Sequence, residues 1–322
     1  MALTITTNIA SLIVQKNLTA ATNALNVSLE RMTTGYRINH AGDNAAGYSI
    51  ATDWVTQLGS LDIVAENAAM GTDLLDTAEQ NYSLLTSHLQ RIRDLTEQAA
   101  NGTYGSSSLK AMQAEIKSRL EEISRISANA EYNGIKLMSA APPATNGLEI
   151  QVGLDSTANS VIPLDSSLFA DASVSGLFSS YSQFITIVTA ANGGEDLDSL
   201  NSQDGYSAVS MAFAGLKKSG GKVVVQTDTG YKPKDTLTYI DQALSNISSR
   251  VTTIGAAQNR VTSALSSIGV QSQNVTSSLS TIRDTDVAAE SSRYIQEQIL
   301  QQASATLLAT ANQAPSIALS LI

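Results

Sequence analysis

Residues 237–282 read LTYIDQALSNISSRVTTIGAAQNRVTSALSSIGVQSQNVTSSLSTI. Apolar side chains recur at alternating steps of three and four: Leu237, Ile240, Leu244, Ile247, Val251, Ile254, Val261, Leu265, Ile268, Val275, Leu279 and Ile282. Only Gln258 and Ser272 interrupt the series. In a chain that is 43% hydrophobic, chance would leave more than half of such slots polar. A 3.5-residue period keeps one apolar seam on one helix face, wound left-handed against partner helices. At 1.5 Å per residue the run predicts a rod of roughly 70 Å. Rods of that length belong to extended assemblies more than to globular enzymes.

A second seam lies in the first half: Ile50, Trp54, Leu61, Val64, Ala68, Leu75, Ala78, Tyr82, Leu85, Leu89, Ile92 and Ala99, with Gln57, Gly71 and Thr96 as exceptions. Turn signals at Asn101-Gly102 and Tyr104-Gly105 precede a shorter helix, with Leu109, Met112, Ile116, Leu120 and Ile123 on its apolar face. Three such helices with short connections predict a bundle closed by the distant C-terminal rod. The fold class is therefore mainly α: long heptad-repeat helices from both chain ends, plus a smaller middle segment.

Proline and glycine delimit that segment. Pro142, Pro143, Pro163 and Pro233 mark it out, and the flanking arms hold no proline until Pro315, as long helices require. Within it, Leu148–Gly153 and Val161–Leu164 read as a β-hairpin, with further strands expected at Gln183–Val188 and Lys222–Thr227. Tyr206–Lys218 reads as a short helix ended by Ser219-Gly220-Gly221. The middle is thus a small α+β insertion.

Composition excludes several classes. The net charge of −10 opposes nucleic-acid binding, which needs a basic footprint. No apolar run approaches a membrane span. Without cysteine there are no disulfides, thiolate metal sites or cysteine nucleophiles. His40 and His88 are the only histidines, and no Ser/His/Asp arrangement or phosphate-cradling glycine loop is recognisable, so no enzyme activity, metal or cofactor is expected. Aromatics are scarce at 5%, which predicts a thin interior of Leu, Ile, Val and Ala. The start of the chain lacks the basic and continuous apolar stretches of a cleavable signal, so any export takes another route.

The outermost segments are different. Val14, Leu18, Ala21, Leu25, Ser28 and Met32 keep the spacing near the N-terminus. From Val287 to Ile322 only Glu290, Arg293 and Glu297 are charged, and Ile299, Leu300, Leu307 and Leu308 spread over several faces. Such helices expect burial on most sides, and the missing cover is another copy of the chain. Val14, Leu18, Leu25, Met32, Ile299, Leu300, Leu307 and Leu308 are the candidate self-assembly residues.

Thr33 to Gly47, TTGYRINHAGDNAAG, breaks the periodicity with glycine and polar residues. This pattern resembles the N-terminal signature of bacterial flagellins. Gln90–Leu95 (QRIRDL), Tyr132–Leu137 (YNGIKL), Gly255–Arg260 (GAAQNR), Asp284-Thr285-Asp286, Ile299–Ala303 (ILQQA) and Ala311–Pro315 (ANQAP) resemble further flagellin segments, in the family's order. Thr33-Thr34 stands where two serines are usual, and Asn44 replaces a common Asp.

The resemblance implies the subunit of the extracellular flagellar filament, which transmits motor torque for swimming. Its partners would be other copies of itself, an export chaperone, the filament cap and hook-junction proteins, with no nucleic acid and no membrane insertion. It also implies type III export without a cleaved signal. The organisation expected is a polymerisation helix and spoke over 1–42, a bundle over 43–174 and 233–283, a variable surface insertion over 175–232, and a second polymerisation helix over 284–322. By the same resemblance Arg91, Leu95 and Glu115 match positions read by the flagellin-sensing Toll-like receptor of animals. Two rivals share the terminal arms: the hook–filament junction adaptor, and a flagellin with an embedded zinc peptidase. The peptidase needs a histidine pair four apart in the middle segment, which has no histidine.

Overall fold

The computed structural model describes residues 8–138, 148–178, 216–219, 222–225 and 233–319. Long helices dominate it: α1 (Ile9–Thr34), α2 (Ala45–Ala100), α3 (Ser106–Asn129), α5 (Pro233–Arg283) and α6 (Val287–Leu319), with the short α4 (Val174–Phe178) in the middle. Among the described residues, strands pair as three antiparallel hairpins: β1 (Glu131–Tyr132) with β2 (Ile135–Lys136), β3 (Leu148–Gln151) with β4 (Val161–Leu164), and β5 (Leu216–Ser219) with β6 (Lys222–Val225). The first of them turns on Asn133-Gly134, a pair suited to two-residue hairpin loops. The chain divides into two compact units, one of residues 62–268 and one of residues 1–61 with 269–322.

The 62–268 unit has a continuous core. The α2 seam from Ala68 to Ala99, the α3 face Leu109, Ile116, Leu120 and Ile123, and Ile240, Ile247, Ile254 and Val261 of α5 are all buried in one cluster. The seam positions of α5 alternate between buried and half-buried, because Ala243 and Ala257 beside the seam share the covered face. Gln258, the polar interruption, lies at the edge and donates to Asp76 Oδ1 at 2.7 Å and Glu79 Oε2 at 2.9 Å on α2. Gly71, the gap in the α2 seam, is buried because Ile150 of β3 lies over it. A Cβ there would come within 2.5 Å of Ile150 Cδ1. The gap admits the hairpin.

Two expectations are corrected here. The helix expected over Tyr206–Lys218 is not one at its described end: Leu216–Ser219 is a strand paired with Lys222–Val225. Gly220-Gly221 flanked by a Val run is hairpin chemistry, since two glycines permit the positive φ values of a tight turn. The strand expected at Gln183–Val188 and the rest of that helix lie outside the described residues. Second, the surface insertion does not start at 175, because Leu177 and Phe178 of α4 are buried in the core. The interior also uses its few aromatics where α4 and its approach meet the bundle, with Tyr82, Phe169 and Phe178 among the largest fully buried side chains.

That approach is clasped by polar groups. The buried Tyr82 hydroxyl donates to Leu168 O at 2.8 Å, and burial pushes its phenol above its ordinary value. Arg250 of α5 donates to Ala170 O at 2.9 Å and lies 5.9 Å from the centre of the Tyr82 ring. One guanidinium thereby ties two long helices to the segment that leads toward the insertion.

Candidate functional site

In the other unit α1 packs against α6, antiparallel, so that Asn8 lies beside Ala311. Three polar contacts set the register. Asn8 donates to Ala311 O at 2.8 Å, the Ser11 hydroxyl donates to Asn312 Oδ1 at 2.8 Å, and Gln301 donates to Thr22 Oγ1 at 3.1 Å. Ala311 and Asn312 of the ANQAP motif and Gln301 of the ILQQA motif thus pair the two helices. Asn8 also caps α1 through Ser11 N.

The connector between α1 and α2 is fastened to the start of α6. Gly35, at φ 75°, ends α1 in the left-handed conformation that glycine adopts without a Cβ clash. Its carbonyl accepts from Thr285 N at 2.9 Å, while Arg37 donates through its backbone N–H to Arg283 O at 2.6 Å and through its guanidinium to Ile282 O at 2.7 Å. Arg283 stacks 4.0 Å from the centre of the Tyr36 ring. Asp43 accepts the backbone N–H groups of Asn39 and His40 at 3.1 Å each, and these, His40 foremost, hold its carboxyl below the usual range. Asp286 caps α6 through Ala288 N at 2.9 Å and Ala289 N at 3.1 Å. The signature over 33–47 and the Asp284-Thr285-Asp286 motif therefore meet as one joint, and Ile38 is buried within it.

The eight self-assembly candidates fall into two sets. Val14, Leu18, Leu25 and Met32 are half-buried on the α1 row that contains the buried Ala21 and Ser28, and Leu308 is half-buried on α6. Ile299, Leu300 and Leu307 are 61, 45 and 57% exposed, as are Ile9, Leu12 and Ile13 to similar degrees. Leu300 and Leu307 border a groove of about 530 Å³ between the two helices, floored by Ala20, Ala21 and Ala24. Each end helix covers one face of the other. The remaining faces stay apolar and open, a condition that a monomer does not resolve.

The candidate receptor patch is rearranged. Arg91 and Glu115 do meet, with Arg91 donating from Nε at 2.8 Å and Nη2 at 3.2 Å, and Arg119 joins at 3.2 Å. Leu95 does not belong with them: it is 2% exposed and part of the core. Helix α2 has two helices and a hairpin to cover, so its buried stripe is wider than the seam and takes in Leu74 and Leu95 beside it. Sequence reasoning missed Arg250 and gave Arg37 only as part of the 33–47 signature, because their bonds to distant backbone carbonyls leave no pattern in the sequence. His88 lies 3.4 Å from Arg119, and its pKa is lowered by partial burial and then by that cation. Among the described residues no group of His, Asp or Glu side chains is arranged to hold a metal, and no helix is long and apolar enough to cross a membrane.

A closed bundle and a half-covered pair of end helices define a structural subunit, made to be completed by neighbours. Family comparison agrees at both ends: residues 5–142 match the bacterial flagellin N-terminal helical region and residues 237–322 match the C-terminal helical region. The chain belongs to the bacterial flagellin family. It is 37% identical to a flagellin of Xenorhabdus nematophila and 35% identical to one of Serratia marcescens, in both cases over the whole of each chain. A flagellin of Listeria innocua is 30% identical over 99% of each chain.

Proposed function

We infer that this chain is the repeating subunit of a bacterial flagellar filament and that the paired end helices are its polymerising element. The observation that carries this is the apolar row left open on α1 and α6, at the two ends that match the flagellin helical regions. Head-to-tail contacts between different surfaces of identical chains do not close, so they generate a helical polymer. Packing then transmits torque along the polymer.

Several finer assignments follow from that reading. The ends 1–42 and 284–322 are the polymerisation segments, 43–178 with 233–283 is the bundle, and 179–232 is a surface insertion. A chain free of cysteines threads an export channel without cross-links to break. That property suits export through the flagellum's own type III channel, and a chaperone covers the apolar ends before assembly. The filament cap and hook-junction proteins meet those same ends. Toll-like receptor recognition rests on Arg91 and Glu115, because Leu95 is withdrawn into the core.

The direct test adds short filament fragments as seeds to purified protein and follows growth by electron microscopy. Seeded filaments that lengthen with protein concentration are expected. A chain that stays monomeric at every concentration, while folded, overturns the filament reading. Limited proteolysis adds a second check, since both ends should be trimmed in the monomer and protected in the polymer.

A further inference from the structure

Positive charge in the middle of the chain is gathered at one hairpin. From Leu137 to Leu216 the sequence carries acids, with Glu195, Asp196 and Asp198 closest together, and no Lys or Arg. Lys217, Lys218 and Lys222 then follow within six positions, and no Asp or Glu stands between Asp204 and Asp228. The whole chain has a net charge of −10, so this cluster is cationic against an acidic background. At physiological salt the Debye length is about 8 Å, and a ligand at the hairpin responds to the nearby lysines more than to distant acids.

The fold sets the form of the cluster. Strands β5 and β6 pair antiparallel on either side of Gly220-Gly221, which places the three lysines on the three rungs next to the turn. The register sets Lys217 opposite Val224, Lys218 opposite Val223 and Lys222 opposite Ser219. No lysine has an acid across the ladder, the pairing by which a hairpin neutralises its own charge.

Composition selects the partner. From Ala214 to Val225 there is no aromatic residue, so no platform exists for stacking bases. Ser219-Gly220-Gly221 offers no large apolar side chain to a bilayer. What the hairpin offers is charge beside a turn of small residues. We propose that the β5–β6 hairpin, through Lys217, Lys218 and Lys222, binds anionic polysaccharide. This rests on the reading of 179–232 as a surface insertion of a filament subunit. Each site alone is weak, because ion pairs in water contribute little. A filament repeats the site on every subunit, so one polysaccharide chain engages many hairpins and gains avidity.

Retention on immobilised heparin, a sulfated polymer, and on immobilised polygalacturonate, a carboxylated one, tests this with monomer and with seeded filaments. Monomer should be retained at low salt, and filaments should hold about a hundredfold more tightly. Lys217→Gln, Lys218→Gln and Lys222→Gln together should abolish retention of both forms, and arginine at the same three positions should restore it. Substituting Lys110, Lys117 and Arg260 by Gln changes the net charge equally and should leave retention intact. Failure of the wild type to bind either polymer, undiminished binding of the hairpin variant, or equal loss in both glutamine variants overturns the proposal. Retention on one polymer alone supports it and fixes the anionic group as sulfate or carboxylate. Tighter binding to double-stranded DNA or to phosphatidylserine vesicles overturns the choice of polysaccharide. Filaments that bind no more tightly than monomer overturn the avidity. If no filaments form at all, the filament reading fails, while retention of the monomer still decides the role of the hairpin.

Discussion

Ile254 and Ile282 occupy equivalent slots in one seam on one helix, yet Ile254 is fully buried and Ile282 is half-buried. The first belongs to the 62–268 unit, where α2, α3, α5 and the β3–β4 hairpin close around a shared core. The second belongs to the unit of the chain ends, where α1 and α6 cover one face of each other. The periodicity is the same in both. What differs is the number of partners the chain itself supplies. In the first unit apolar residues stabilise the fold; in the second many of them remain available for assembly.

This contrast is broken most severely by a charge in the closed core. Ile254→Asp places a carboxylate with no partner among apolar side chains, at an expected cost of several kcal/mol. Thermal melting should fall far below wild type and filaments should be absent. Unchanged melting would mean that Ile254 faces solvent and that the seam is misassigned.

The same chemistry at the open ends should separate stability from assembly. Leu300→Asp with Leu307→Asp alters exposed residues, so monomer stability should move by only about 0.5 kcal/mol per site. Seeded growth, in contrast, should be lost. Filaments formed at the wild-type concentration would show that these faces are not covered by neighbours.

The clasp sharpens the comparison inside the closed unit. Arg250→Met leaves the Ala170 carbonyl without its donor and should cost about 1–3 kcal/mol. Amide exchange should accelerate over residues 166–178 and stay unchanged in α3, which the clasp does not touch. Uniform acceleration in both would mean that the bundle opens as one unit and that Arg250 has no local role.

Smaller effects are expected at the surface. Removing residues 180–231 through a short Gly/Ser linker keeps Leu177 and Phe178, and the cost of loop closure changes slowly with length. Melting and seeded growth should both be near wild type, and a folded variant that fails to grow would place subunit contacts in the insertion. The smallest effect concerns pH. Hydrogen bonds from Arg91, then Arg119, hold the Glu115 carboxyl below its ordinary value. Its contribution to stability is therefore complete above the ordinary carboxyl range and is lost as pH falls through the lowered value. Glu115→Gln should flatten the acid side of the stability profile slightly, by an amount limited by solvent screening. An identical profile would show that the ion pair adds no net stability.

Much of this architecture was legible before folding. The seams of α2 and α5, the face of α3 and the β3–β4 hairpin follow from spacing, because a helix or strand repeats its environment at a fixed period. Leu95 escaped the reading because it flanks the seam, and only the number of neighbours packed on α2 decides how wide the buried stripe becomes. The strand at Leu216–Ser219 escaped because the Gly220-Gly221 pair reads equally as a helix stop or a hairpin turn. The α4 residues Leu177 and Phe178 escaped because five residues are too few for periodicity to register.

The sequence by itself determined the helices, the seams and the charge-poor ends, since each is a property of residues near one another in the chain. Tertiary structure alone decided which of these surfaces would be covered. Arg37 meets Ile282 and Arg283, Gly35 meets Thr285, and Arg250 meets Ala170 across separations that no local pattern encodes. Burial depends on what lies opposite, and a one-dimensional pattern carries no information about its partner. For that reason the same apolar spacing became core at Ile254 and a half-covered face at Ile282.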